Sequence, residues 1–150
     1  MITEIRKRVS CLVAMTFTAL GATAADITVS DGGANDIVGN TTWTSDNVYL
    51  LEGRVFVESG ETLTIQAGTV IKGKPGSNEN ASALVVARGG TIMANGTAAN
   101  PIIFTAEADD MADPFDLGPT DRGRWGGLIV LGAATLNSPS ASGSPIVDNI

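Results

Sequence analysis

Residues 60–73 read Gly60-Glu61-Thr62-Leu63-Thr64-Ile65-Gln66-Ala67-Gly68-Thr69-Val70-Ile71-Lys72-Gly73. Two short runs, Thr62–Ile65 and Thr69–Lys72, alternate polar with aliphatic residues across an Ala67-Gly68 corner. Period-two alternation sends Leu63 and Ile65 to one face and Thr62 and Thr64 to the other, the pattern of a half-buried strand. Immediately upstream, Arg54-Val55-Phe56-Val57 is a third strand candidate, set off by a Ser59-Gly60 corner. The stretch therefore holds three strands of about four residues and contains no helix-length amphipathic run.

The same order recurs downstream. Ala83-Leu84-Val85-Val86, Thr91-Ile92-Met93-Ala94 and Pro101-Ile102-Ile103-Phe104-Thr105 are strand candidates in the second copy. A Val stands five residues before a Thr-aliphatic pair three times: Val57 with Thr62-Leu63, Val86 with Thr91-Ile92, and Val130 with Thr135-Leu136. Gly60 and Gly90 also match, with a one-residue shift of phase. From Val57 to Val86 is about 29 residues and from Val86 to Val130 about 44 residues, within the range of stacked supersecondary units. Three strands and three corners per turn of about 29 residues predict an all-β fold, a β-solenoid of about three coils. A β-sandwich is the competing architecture, because short strands with frequent turns are also its signature. The in-register recurrence, and the lack of Asn-Gly or Asp-Gly hairpin loops between paired strands, favour the solenoid.

Composition narrows the chemistry. The 150 residues include 18 glycines, 5% aromatic and 17% charged residues, as expected of a turn-rich β protein. There is no histidine and a single cysteine, Cys11. That excludes a Ser-His-Asp triad, a Cys-His pair and a zinc site of the usual ligands from this chain. Nine basic against sixteen acidic residues give a net charge of −7, which argues against nucleic acid as a partner.

Residues 1–25 have the three-part layout of a secretory signal peptide. Arg6, Lys7 and Arg8 precede an uncharged stretch from Cys11 to Leu20, and Ala22-Thr23-Ala24 forms a small-residue cleavage motif. The apolar stretch is too short to span a bilayer, which takes about 20 residues in a helix. Cys11 lies at the start of this stretch and not after it, so lipidation is not expected. Export is therefore the expectation, to the extracellular space, the cell surface or the periplasm. From Ala25 onward the chain holds six basic and fifteen acidic residues and no cysteine. Without disulfides, an exported domain needs a well-buried sheet. Residues 26–53 are read as an N-terminal cap or lead-in, and 54–150 as coils with an acidic insertion at 107–124.

Together, the Gly60–Gly73 run, Leu84-Val85-Val86, Gly90-Thr91-Ile92-Met93-Ala94-Asn95-Gly96, Asn100-Pro101-Ile102-Ile103-Phe104-Thr105 and Gly123-Arg124-Trp125-Gly126-Gly127-Leu128-Ile129 resemble the opening coils of secreted bacterial right-handed parallel β-helix (solenoid) proteins of pectin-lyase-like fold. The resemblance covers roughly 43–136 and implies the architecture. It also implies extracellular polysaccharide or cell-surface components as partners, and it assigns no activity, since this fold carries many. The expected function is an exported structural or binding module. The alternative is the N-terminal part of a carbohydrate-active enzyme, a polysaccharide lyase or glycoside hydrolase, with its active site on later coils.

No catalytic residue is assigned. The polar stretch from Glu107 to Arg122 holds the candidate metal ligands Asp109, Asp110, Asp113, Asp116 and Asp121, whose oxygens suit Ca²⁺. Their spacing fits no EF-hand, and a solvated loop is the competing reading. Arg122 and Arg124 invite comparison with the basic residue of calcium-dependent lyases, but no lyase motif surrounds either. Glu58 and Glu61 flank a corner, where charges are ordinarily solvated. Gly32-Gly33-Ala34-Asn35-Asp36 reads as a turn. Trp43, Phe56, Phe104 and Trp125 are too scattered for a sugar-stacking platform and are assigned to core or cap packing.

The chain ends in Ser144-Pro145-Ile146-Val147-Asp148-Asn149-Ile150, strand-like and without a polar cap. An uncapped solenoid exposes a sheet edge, so the coils are expected to continue beyond residue 150. Residues 26–150 expressed alone should then aggregate or stay partly unfolded. A monomeric, cooperatively melting product in sedimentation and thermal scans would overturn that expectation.

Overall fold

A computed structural model describes residues 24–33 and 35–132. Ten strands follow in order: β1 Ala25–Val29, β2 Asn40–Trp43, β3 Asn47–Leu51, β4 Arg54–Val57, β5 Thr62–Ile65, β6 Val70–Gly73, β7 Ala83–Val86, β8 Thr91–Ala94, β9 Ile103–Ala106 and β10 Gly127–Val130. One 3₁₀ turn, Asn78–Asn80, precedes β7. Most of residues 1–25 and the Thr135-Leu136 pair lie outside the described residues, while Ala25 already opens β1.

The strands form three sheets, ordered β1-β3-β6-β9, β2-β5-β8 and β10-β7-β4. Every pairing is parallel. A β-sandwich, built on antiparallel hairpins, does not fit these pairings. From β2 onward the chain instead visits the three sheets in turn, one strand each, which is a parallel β-helix. Val57, Val86 and Val130 lie side by side in one sheet, and Thr62 stands beside Thr91 in another.

The coil is shorter than the Val57-to-Val86 interval suggests. Ala25 pairs with Asn47, Asn40 with Thr62 and Val48 with Val70. A basal coil therefore takes about 22 residues, near the short end of the range for stacked repeats. Residues 26–53, read as a lead-in, carry strands of the same sheets. Later rungs are longer, from Arg54 to Ala83, from Val70 to Ile103 and, longest, from Ala83 to Gly127. Loops are inserted at their corners while the strands stay in register. The glycine match also differs from the sequence reading. Gly60 and Gly89, not Gly90, hold equivalent places with φ of +88° and +83°, and the Gly60 N–H donates to the Gly89 carbonyl at 2.9 Å. This corner needs left-handed backbone, which glycine adopts without a Cβ penalty.

Alternating residues point inward and stack in columns. One column runs Val55, Leu84, Leu128 and another Tyr49, Ile71, Phe104. Leu51, Leu63, Val55, Val57, Ile71 and Leu84 are fully buried. Trp43 stacks on Tyr49 with ring centroids 4.7 Å apart, and the Tyr49 hydroxyl accepts the Thr44 N–H at 2.9 Å. In the column Val29, Leu51, Gly73, Ala106 the side chains shrink toward the later coils, and Trp125 fills the space: a Cβ on Gly73 would lie 2.5 Å from the Trp125 Cβ. The two buried polar side chains among the described residues are satisfied. Thr69 donates to the Gln66 carbonyl at 2.8 Å, and Ser82 accepts the Gly53 N–H at 3.2 Å.

Truncating Leu84 to Ala removes a fully buried side chain between two rungs, and an expected loss of about 2–5 kcal/mol follows from the transfer and cavity costs of such changes. Gly89→Ala combines an unfavourable φ with a Cβ placed 2.5 Å from the Ser59 hydroxyl oxygen, so it too should destabilise, by about 1 kcal/mol or more. Denaturant melts of both variants check these values. A Leu84→Ala variant as stable as the parent would contradict the stacked-column core.

Candidate corner groove

Leu51, Gly73 and Ala106 are neighbours in one sheet, so the residues that follow them, Glu52, Lys74 and Glu107, stack at one corner. Their backbones are locked by the ladder. Glu52 N–H donates to the Val29 carbonyl at 2.9 Å, Lys74 N–H to Leu51 at 2.9 Å and Glu107 N–H to Gly73 at 2.8 Å. Rungs at the strand spacing of about 4.8 Å thus present a negative, a positive and a negative side chain in sequence. The Lys74 ammonium pairs with the Glu52 carboxylate at 3.4 Å, both partly exposed.

Two inserted loops, 74–82 and 107–126, leave from this same corner and wall it. Between the 74–82 loop and the ladder lies a groove of about 350 Å³ lined by Glu52, Gly53, Lys74, Pro75, Asn80 and Ser82. A second hollow of about 150 Å³ shares Pro75 and is lined by Gly73, Ala106, Glu107, Ala108 and Arg124. Trp125, seated on Gly73, and the Gly126 N–H, which donates to the Ser82 carbonyl at 2.6 Å, hold the end of the longer loop against the coil.

The structure does not gather the five candidate metal ligands. The Asp109 carboxylate accepts the Thr105 hydroxyl, while its carbonyl accepts the Lys72 ammonium at 2.6 Å. Asp110 accepts the Ala112 N–H at 3.2 Å, Asp113 the Phe115 N–H at 2.9 Å, and Asp116 the Asp110 N–H. Asp121 accepts the Gly118 N–H at 2.8 Å and pairs with Arg124. Among the described residues, no three acidic, histidine or cysteine side chains are placed to share a metal ion. These aspartates act as turn formers, since a short carboxylate readily accepts nearby backbone N–H groups. The Arg124 guanidinium beside Asp121, aided by the Gly118 N–H, holds that carboxyl below its usual range.

The other sequence candidates are structural as well. Glu61 accepts the Glu58 N–H at 2.9 Å and the Gly39 N–H at 3.3 Å, tying one corner to the next. Asp36 accepts the Gly32 N–H at 2.9 Å, closing the turn read there. Arg122 donates to the Pro119 carbonyl at 3.4 Å. Of Trp43, Phe56, Phe104 and Trp125, Trp43 is buried and Phe104 and Trp125 pack against the core. Glu52, Lys74 and Glu107 were missed because their alignment depends on coil lengths that differ from rung to rung. A search at the basal spacing, that of Asn40 and Thr62, would have found Glu52 above Lys74.

A family described as a pectate-lyase-like β-helix domain matches residues 34–149, and the three parallel sheets give that match its structural counterpart. The chain belongs to the pectate-lyase-like β-helix domain family. No curated protein and no solved structure matches it significantly. In this β-helix domain no helix among the described residues is long and apolar enough to cross a membrane.

Because each aspartate of the loop is already used locally, added Ca²⁺ is expected to leave the thermal midpoint unchanged. A ligand held by the native state alone must raise it. A midpoint that climbs with millimolar Ca²⁺ and returns with chelator would restore the metal site.

Proposed function

We propose that the chain is an exported β-helix module that binds extracellular polysaccharide along the insertion corner, in a structural or adhesive role and not a catalytic one. The observation that carries this reading is the placement of the insertions. The short rungs show what the coil needs to close, and the extra chain is concentrated at one corner, where loops 74–82 and 107–126 flank two neighbouring hollows that share Pro75. Loops added to a rigid scaffold are where binding surfaces are built. Three rungs span roughly 10 Å along the axis, enough to lie under a short run of sugar residues.

The chemistry of the groove supports binding over turnover. Lys74 and Arg124 are each held by a carboxylate of the same chain, Glu52 and Asp121. Export rests on the leader at 1–25, and the net charge of −7 supports a partner other than nucleic acid.

The test is affinity electrophoresis of the full chain through gels containing soluble polysaccharides, paired with assays for released products. Asn80→Trp places a bulky ring at the wall of the groove and is expected to weaken retention at least tenfold with an unchanged melting midpoint. Thr64→Trp, on a different sheet, should leave retention intact. Retention equal in both variants, or product accumulating with time, would overturn the proposal.

A further inference from the structure

We infer that the glycan this corner accepts is amino-bearing, and that polyuronates are refused; the inference rests on the polysaccharide-binding reading above. The smaller hollow is lined by the uncharged Gly73, Pro75, Ala106 and Ala108 together with Glu107 and Arg124. Small apolar groups beside a few polar ones suit the CH-rich face of a sugar ring. What sets the ligand's charge is which charged groups are already engaged.

The cations here are committed. Lys72 donates to the Asp109 carbonyl at 2.6 Å, Lys74 pairs with Glu52 at 3.4 Å, and Arg124 pairs with Asp121. A uronate carboxylate would have to share these cations with the carboxylate or carbonyl oxygens already bonded to them. It would also approach Glu107 and Glu52, and like charges at such range repel. Glu107 is exposed, and its carboxylate makes no hydrogen bond or ion pair with a described residue. Its backbone is fixed by the ladder bond to Gly73 at 2.8 Å, so the carboxylate is held at the hollow without being consumed by it. A ring seated on the uncharged lining with an ammonium toward Glu107 gains a charge-assisted hydrogen bond that a neutral ring lacks. The chain's surplus of acidic over basic residues adds a long-range bias of the same sign.

The experiment measures binding of the full chain to three soluble probes of matched length: partly deacetylated chitin oligomers, a neutral β-glucan and polygalacturonate. The expected order is amino glycan at least tenfold tighter than neutral glucan, with no retention by polygalacturonate. Glu107→Gln should reduce retention by the amino glycan to the level of the neutral glucan, with the melting midpoint unchanged. Glu58→Gln, which removes one carboxylate at a different corner, should keep the preference and so separates a local effect from bulk charge. Equal losses in the two variants, or binding of polygalacturonate as tight as the amino glycan, would overturn the inference while the binding reading stands. Failure of all three polymers to bind would remove the binding reading and the inference with it.

Discussion

The parallel backbone ladder is the constraint on which the rest of this molecule depends. Each strand of about four residues is too short to be stable alone, and it persists because its N–H and C=O groups pair with the rung on either side. A ladder fixes position along the axis but does not choose which residue faces inward. That choice belongs to the aliphatic columns, since a one-residue slip would send Leu63 and Ile65 to solvent and Thr62 and Thr64 into the core. Hydrogen bonding and packing therefore enforce the same register. The connection can grow from the short Glu52-Gly53 link after β3 to the whole of 107–126 after β9 without disturbing the strands.

That tolerance makes the fold a scaffold. Corners whose backbone is locked from rung to rung, such as Gly60 over Gly89, cannot lengthen without losing their ladder bonds. The corner after Leu51, Gly73 and Ala106 is different. It keeps its first ladder bond and releases the chain afterward, so insertions emerge there with fixed roots. Gly73 contributes a second role at the same place. By lacking a side chain in the interior column it admits Trp125, which anchors the returning end of the longest loop against the coil.

Much of the architecture was legible from residues 54–105, because period-two alternation and the Val-to-Thr spacing carry both strand identity and pairing partner. The coil length was not. The Val57-to-Val86 interval already contains the insertion at 74–82, and the shorter basal coil is visible only through less conspicuous pairs such as Asn40 with Thr62. The third strand of each copy was placed one or two residues early. Thr69 turns its hydroxyl back to Gln66 at the corner, and Pro101, with no N–H to give the ladder, is left outside β9. The acidic stretch is ambiguous for a related reason. Aspartate is both a calcium ligand and a turn former, and residue type alone does not separate the two.

The sequence by itself determined the strand pattern, the interior columns, the acidic charge and the absence of histidine, because these are properties of residue type and of short-range periodicity. Tertiary structure decided which side chains share a corner. Glu52, Lys74 and Glu107 are distant and unevenly spaced along the chain, and they meet because the hydrogen-bonded register subtracts the loops and adds only the rungs. The same closure spends the loop's aspartates on nearby N–H, hydroxyl and guanidinium groups and leaves Glu107 lining the hollow. A linear reading has no means of telling a carboxylate that is already bonded from one that is not.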